Sequence, residues 1–369
     1  MILESCGQIR QLTKPASNTP TREVPSRQKG FRSHNATQGS PTIVMKILTI
    51  ILNYKTPDMT LESVDAAWRE LARYPDAQIV VVDNDSQDGS FQQLCNAVAE
   101  RDFDGRVRVV ASDYNGGFAY GNNFAIAPAL ASDDLPDYVY LLNSDAFPDN
   151  DCIGKLVEFL DANPRAGIAG SYVHGPEPVP HKTAFQFHSI YSELESTLGL
   201  GLVSKLLKQH LVALPLPTET RQVDWLAGAS MLIRRQVLED IGLMDETFFL
   251  YFEETDFCYR ARQAAWTTHY VVESSVTHVG SVSTGMKDKA KPTPPYWFAS
   301  RRHYFLKNKG RLYLWGANLA YVTGGTLRRI VWRTVGRPEF DAKHHLRDFI
   351  RFNFRLGKTP DGHPHRLVS

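Results

Sequence analysis

No stretch of the 369-residue sequence approaches the roughly 18 consecutive apolar residues that a membrane-spanning helix requires. The best candidate, Leu312 to Thr323, is too short and contains Gly316 and Asn318. An apolar leader is also missing from the first residues, so the chain is expected to stay in the cytoplasm. Cysteine is scarce: Cys6, Cys95, Cys152 and Cys258 show no paired spacing, and Cys95 and Cys258, in helical patterns, are expected to be small, buried or half-buried side chains in a reducing compartment. The first apolar run is not followed by a G-x-G-x-x-G fingerprint, which disfavours a dinucleotide-dependent dehydrogenase. Its successor, Asn53-Tyr54-Lys55-Thr56-Pro57, is not a glycine-rich basic loop either, which disfavours nucleotidyl transfer. No internal repeat is visible.

Net charge is nearly absent overall, at +1, but it is unevenly spread. Residues 296–369 hold fifteen Lys/Arg against four Asp/Glu, and residues 1–44 hold six against two, so residues 45–295 are strongly acidic. An acidic centre argues against a nucleic-acid-binding core. The basic tail suits either a solvated helix face or an anionic membrane surface.

Residues 1–44 are rich in Ser, Thr, Pro, Gln and Arg without an apolar period and are expected to be a disordered extension. From Lys46 strand and helix patterns alternate. Ile47-Leu48-Thr49-Ile50-Ile51-Leu52 and Gln78-Ile79-Val80-Val81-Val82-Asp83 are continuous apolar runs, the pattern of strands covered on both faces. Val107 to Val110, Tyr138 to Leu142 and Gly167 to Val173 predict further strands. Asp58 to Arg73, Asp88 to Glu100, Phe118 to Ala131 and Asp151 to Ala162 predict helices. This alternation implies an α/β fold with a doubly wound, mainly parallel sheet, whose ligands lie outside the carboxyl ends of the strands. From His174 to Val223 the pattern loosens around prolines, with an amphipathic stretch from Ile190 to Leu211.

Polar residues stand at the predicted strand ends. Asp83-Asn84-Asp85-Ser86 follows one strand; a carboxylate there can accept the imide N–H of a pyrimidine ring or simply cap its own turn. Asn115-Gly116-Gly117 opens a helix that carries Asn122 and Asn123, a setting equally suited to an anion at the helix N-terminus and to a plain turn. Asn143-Ser144-Asp145 ends another strand, where Asp145 can ligate Mg²⁺ or Mn²⁺ and Asn143 can contact ribose or metal-bound water. Asp224-Trp225 and the small residues Gly228 and Ala229 offer a sugar a stacking face and room against the backbone, although close core packing explains the small residues as well. Phe248, Phe249, Tyr251 and Phe252 precede Glu253-Glu254, and such an aromatic wall raises a carboxylate toward a useful base. Arg260 and Arg262 are candidates to orient that pair. His278 ends a β-like run and is either structural or a partner of Asp145 on a metal.

Taken in order, Ile51-Leu52-Asn53-Tyr54, Val82-Asp83-Asn84-Asp85-Ser86, Asn115 to Asn123, Leu142-Asn143-Ser144-Asp145, Trp225 to Ala229, Phe252-Glu253-Glu254-Thr255-Asp256 and His278-Val279-Gly280-Ser281 resemble the family 2 glycosyltransferases of the GT-A fold, particularly the rhamnosyltransferase-like branch. The resemblance runs from about Met45 to Ser283. It implies a GT-A domain over residues 45–295, with a nucleotide-binding half to residue 150 and an acceptor half beyond it; the charge of the tail makes residues 296–369 an expected basic helical, membrane-associating extension.

The resemblance also implies roles. Asp83 would read the pyrimidine with Asn53 and Tyr54 nearby, and Asp85, Asn115, Gly116, Gly117, Asn122, Asn143 and Ser144 would complete the donor site. Asp145 and His278 would hold Mg²⁺ or Mn²⁺ at the diphosphate, while Asp224, Trp225, Gly228 and Ala229 would meet sugar or acceptor. Glu254 matches the position of a catalytic Asp. Being one methylene longer, it leaves Glu253 and Asp256 open as alternative bases. Asn143 stands where many members have a first Asp. The implied reaction is inverting sugar transfer from a nucleotide-diphosphate donor, dTDP-rhamnose or a UDP-sugar, to a lipid-linked or surface glycan. The implied workplace is the inner face of the cell membrane. The rival is an inactive nucleotide-sugar-binding or scaffolding subunit, which the retention of Asp145, Glu254 and His278 disfavours.

Overall fold

A computed structural model describes residues 45–177, 179–280, 290–336 and 341–354. The expected extension over residues 1–44 and the end of the basic tail lie outside these residues. Strands and helices alternate from the start: β1 (Ile47–Asn53), α1 (Pro57–Leu71), β2 (Gln78–Asp83), α2 (Ser90–Glu100), β3 (Val107–Ala111), α3 (Gly117–Leu130) and β4 (Tyr138–Asn143). Then come β5 (Ala146–Pro148), α4 (Cys152–Ala162), β6 (Ala166–His174), β7 (Ala184–Phe185), α5 (Ile190–Leu198) and α6 (Gly201–Leu206). The chain continues through β8 (Arg221–Val223), β9 (Trp225–Leu226), β10 (Ser230–Arg234), α7 (Arg235–Ile241), α8 (Glu253–Gln263) and β11 (Thr267–His278). Three helices close the described chain: α9 (Pro295–Lys309), α10 (Arg311–Thr334) and α11 (His345–Phe354).

The principal sheet has the order β3-β2-β1-β4-β10-β6-β11-β5, with β8 paired to β11. Its first four strands are parallel and end in step: Asn53 lies opposite Asp83, and Leu52 opposite Asn143. Side-chain alternation explains why these runs read as continuously apolar. Ile47, Ile51, Ile79 and Val81 enter one core with Val64, Leu94 and Leu156, while Leu48, Ile50, Val80 and Val82 enter a second with Ile126, Met231 and Phe257. Both faces are thus covered by helices, as a doubly wound sheet requires. Each such Val, Leu or Ile side chain contributes about 1.5–3 kcal/mol on burial.

Strand β10, inserted between β4 and β6, runs antiparallel to both. The chain reaches it along the carboxyl edge of the sheet, through β9 and Ala227–Ala229, and therefore runs back down. That return places Gly228 and Ala229 at the same edge as Asn53, Asp83 and Asn143.

The C-terminal helices do not form a loose basic arm. Phe248 and Phe252 pack with Tyr304, Phe305, Leu314 and Ala317, so α9 and α10 seal the segment that leads into α8. Arg301, expected among the cations facing an anionic surface, is fully buried, bonded to Glu193 and Asn318. Arg328 is likewise buried and paired with Asp341. Aromatic faces beside Arg301 (Phe305, Tyr321 and Phe349) account for a guanidinium so far from water.

Candidate active site

The strand ends build a hydrogen-bonded floor. Asp83 is buried; its Oδ1 accepts from Asn53 Nδ2 and from Ser86 Oγ, each at 2.6 Å, and Oδ2 accepts from the Ser86 N–H at 3.2 Å. Asn53 Oδ1 in turn accepts from Thr60 Oγ1 at 2.8 Å, locking β1 to α1. Tyr54 is half-buried beside Lys55, whose ammonium lies 5.1 Å from its ring centroid. Asp85 is half-buried, with a positive φ, and its carboxylate holds Gln87 Nε2. Asn84 was not singled out by sequence, yet its amide reaches Asn115 Oδ1 at 3.0 Å and the Gly117 carbonyl at 3.2 Å. It ties the end of β2 to the turn that opens α3.

That turn touches the acidic segment directly. The Phe118 N–H donates to the Phe249 carbonyl at 3.0 Å. Gly117, at φ +82°, has no room for a side chain: a Cβ would fall 1.7 Å from the Phe249 oxygen. Asn123 Nδ2 bonds the Met244 carbonyl and Glu246, and Asn122 Nδ2 bonds the Phe118 carbonyl within its own helix. The amide nitrogens of this pair therefore fasten α3, and that of Asn123 anchors the approach to α8.

At the end of β4, Asp145 and His278 meet. Asp145 Oδ1 lies 3.0 Å from His278 Nε2, and Oδ2 accepts the Gly280 N–H at 3.1 Å. Asn143 Nδ2 is 3.4 Å from the same imidazole nitrogen, and Ser144 Oγ is 3.4 Å from Thr56 Oγ1. Two ligands about 2.1 Å from one octahedral ion, in adjacent positions, stand about 3.0 Å apart. The Asp145–His278 separation therefore fits a shared Mg²⁺ or Mn²⁺, which would displace the proton between them. Among the described residues no group of three His, Cys, Asp or Glu converges on an ion. A two-residue hold suits a cation completed by phosphate oxygens and water.

The third element is the start of α8. Glu254 is half-buried, and its Oε1 accepts the Gly228 N–H at 3.0 Å. A Cβ on Gly228 would fall 2.8 Å from that oxygen and 2.7 Å from the Phe118 ring, so only glycine lets the three segments close up. Glu253 is almost wholly buried, and its Oε2 has no hydrogen-bond partner. Burial pushes both carboxyl groups above the ordinary range, and the neighbouring Glu254 charge pushes Glu253 further. Asp256 sits differently: Oδ2 is held by Arg260 and Lys307, and Oδ1 by Asn308, all within 2.9 Å.

Arg260 and Arg262 do not orient the glutamate pair. Arg260 binds Asp256 and the carbonyls of Ile241 and Leu243, and Arg262 binds Asp224. Asp224 also accepts the Phe187 N–H, which fixes the loop before α5. Trp225 stacks on Phe185 with centroids 4.1 Å apart, so one ring face is already covered.

The two acidic groups are joined by a short relay. Asn143, beside His278, donates its backbone N–H to the Ala229 carbonyl at 3.1 Å, and the adjacent Gly228 N–H meets Glu254. This path of contacts connects the Asp145–His278 pair to Glu254 although the sequence separates them widely.

A nine-stranded sheet with this edge, closed by α8 and β11, is the GT-A architecture. The sequence model of Glycosyl transferase family 2 matches residues 48–242, and the chain belongs to that family: it is a glycosyltransferase. Its similarity extends to rhamnosyltransferases. It is 27% identical over 246 residues to the N-acetylglucosaminyl-diphospho-decaprenol L-rhamnosyltransferase of Mycobacterium tuberculosis, covering 65% of this chain and 78% of that protein. It is 25% identical over 167 residues to the rhamnosyltransferase WbbL of Escherichia coli, covering 44% and 60% respectively. Among solved structures, a mannosyltransferase from Pyrobaculum calidifontis in complex with GDP-Man and Mn²⁺ superposes with a TM-score of 0.52 at 15% identity, covering 79% of this chain and 74% of that one.

Proposed function

We propose that the protein is an inverting transferase that moves a sugar, rhamnose in the first instance, from a dTDP- or UDP-linked donor to a hydroxyl of a lipid-linked or surface glycan. The observation that carries the reading is the relay from Asp145–His278 through Asn143, Ala229 and Gly228 to Glu254. That relay links a group fit to hold a diphosphate to a group fit to take a proton.

In this reading residues 45–150 hold the donor and residues 151–295 the acceptor, while α9 and α10 brace the acidic segment. Asp83, with Asn53, Tyr54 and Asp85, meets the pyrimidine and ribose, and Asn115, Gly116, Gly117, Asn122, Asn143 and Ser144 border the diphosphate. Glu254 takes the proton of the acceptor hydroxyl as that oxygen bonds to the anomeric carbon from the face opposite the diphosphate. The sugar–phosphate bond breaks, and the nucleoside diphosphate leaves with the bonding pair. Asp145 and His278 would hold Mg²⁺ or Mn²⁺, which when bound supplies positive charge to the departing diphosphate. Glu254, rather than Glu253 or Asp256, is the base because it is the least enclosed of the three and lies against Gly228. The Asp224, Trp225, Gly228 and Ala229 segment borders the sugar and acceptor. The relatives' lipid-diphosphate and rhamnosyl names favour a polyprenol-linked acceptor, used at the cytoplasmic face of the membrane.

A panel of dTDP-rhamnose, UDP-sugars and GDP-mannose, assayed for donor turnover after chelation and after Mn²⁺ is restored, tests this. Metal-restored turnover of one pyrimidine-linked sugar is expected. Binding of donors without turnover under any condition would instead favour a non-catalytic subunit.

A further inference from the structure

Helix α10 is patterned inside out. Its small residues face inward: a Cβ on Gly324 would fall 2.2 Å from Thr197 Oγ1 and 2.8 Å from the Leu194 carbonyl, and one on Gly316 would meet the Ile190 side chain at 2.8 Å. Ala317 is fully buried beside them. Leu314 and Tyr321 also pack inward, but five large apolar residues face outward, with Leu312 90% exposed, Trp315 63%, Leu319 60%, Leu327 46% and Ile330 55%. At about 100° and 1.5 Å per residue these five form one stripe roughly 27 Å long. A helix on a water-facing surface turns its large apolar side chains to the core and its polar ones outward. Small residues at the helix–helix contact with large apolar residues outside is the pattern of a helix whose surroundings are themselves apolar.

Charge indicates the kind of surroundings. Helix α10 contains Arg311, Arg328, Arg329 and Arg333 and no acidic residue. Arg328 turns inward to Asp341, whereas Arg311 and Arg333 are exposed and, by helical spacing, share one flank of the stripe with Arg329. No helix among the described residues is long and apolar enough to cross a membrane, so this face would lie along a surface.

We propose that the Leu312–Ile330 face of α10 seats the enzyme on an anionic lipid bilayer, with the stripe at acyl-chain level and Arg311 and Arg333 among the headgroups. The inference deepens the lipid-linked-acceptor reading, but the binding itself needs no sugar transfer.

Sedimentation of the full chain with vesicles tests it. Wild type is expected to pellet with vesicles of equal parts phosphatidylglycerol and phosphatidylcholine, and weakly with phosphatidylcholine alone. Leu312→Ser, Trp315→Ser and Leu319→Ser together should lower the partition coefficient by at least about a hundredfold. Arg311→Gln with Arg333→Gln should lower it by about thirtyfold, at roughly 1 kcal/mol per charge. The melting temperature and the turnover of free donor in solution should hold in both variants. The proposal is overturned if wild type stays in the supernatant with anionic vesicles, or if the triple variant pellets like wild type. It is equally overturned if wild type is a dimer without lipid that the triple variant converts to monomer, which would make the face a self-association surface. Loss of donor turnover in wild type would count against the transferase reading and leave the vesicle result standing.

Discussion

The carboxylates at the strand ends and those at the start of α8 are treated in opposite ways. Asp83 and Asp145 are supplied with donors: a side-chain amide, a hydroxyl and a backbone N–H for the first, an imidazole and a backbone N–H for the second. Glu253 has an oxygen with no partner, and Glu254 accepts one backbone N–H from Gly228. A carboxylate met by donors is fixed in orientation and keeps lone pairs for a cation or a ring N–H. One deprived of them holds its proton more firmly than an ordinary carboxylate and is the stronger base toward a substrate hydroxyl. The first kind suits binding and the second suits proton transfer.

Glu254→Gln gives the comparison its hardest test. Transfer should fall by about a thousandfold, within the range typical of lost general-base catalysis, while the donor dissociation constant measured by calorimetry stays nearly unchanged. Equal loss of both would place Glu254 with the binding carboxylates. Asp256 is a third kind, buried among cations. Asp256→Ala should cost about 3 kcal/mol in urea unfolding, because Arg260 and Lys307 lose a buried counter-charge; a neutral outcome would show that the α8–α9 junction tolerates the loss. Asp145→Asn should reduce transfer by about a hundredfold, the order of several kcal/mol of lost charge stabilisation. It should also weaken Mn²⁺ binding followed by electron paramagnetic resonance.

The smallest effect is thermal. A carboxyl whose pKa folding raises binds a proton that the unfolded chain has already released. Its stabilising contribution is full at low pH and is lost as pH rises from the ordinary carboxylate range through the raised value. Glu253→Gln should therefore melt higher than wild type at alkaline pH, at roughly 2–4 °C per kcal/mol, with the gap closing as pH falls. A constant gap across pH would mean that Glu253 is not the starved group.

Much of this site was legible because it obeys local rules. Continuous apolar runs announced β1, β2 and β4, and the residues that end them, Asn53, Asp83 and Asn143, had to come together once those strands were parallel neighbours. Glu254 and His278 were legible as types in an ordered series of blocks. What escaped depends on contacts between distant residues. Nothing near Asp256 indicates that Lys307 and Asn308, some fifty residues on, occupy its oxygens. Arg260 looks local to the glutamates, but its helix turns it onto the carbonyls of Ile241 and Leu243. That Phe185 covers one face of Trp225 follows from the β7–β9 pairing of residues distant in sequence. The basic tail read as a uniform surface because composition cannot distinguish Arg301, enclosed by aromatic rings, from Arg333 in solvent.

The contact between Gly117 and the Phe249 carbonyl has one more consequence. The bend that opens α3 and the segment leading to Glu254 are in van der Waals contact with no slack, and the neighbouring Phe118 N–H bonds them as well. Neither can shift by much without carrying the other. A nucleotide sugar that tightens the first on arrival would thereby set the second in its working position, so the enzyme would be primed by its donor before any acceptor comes.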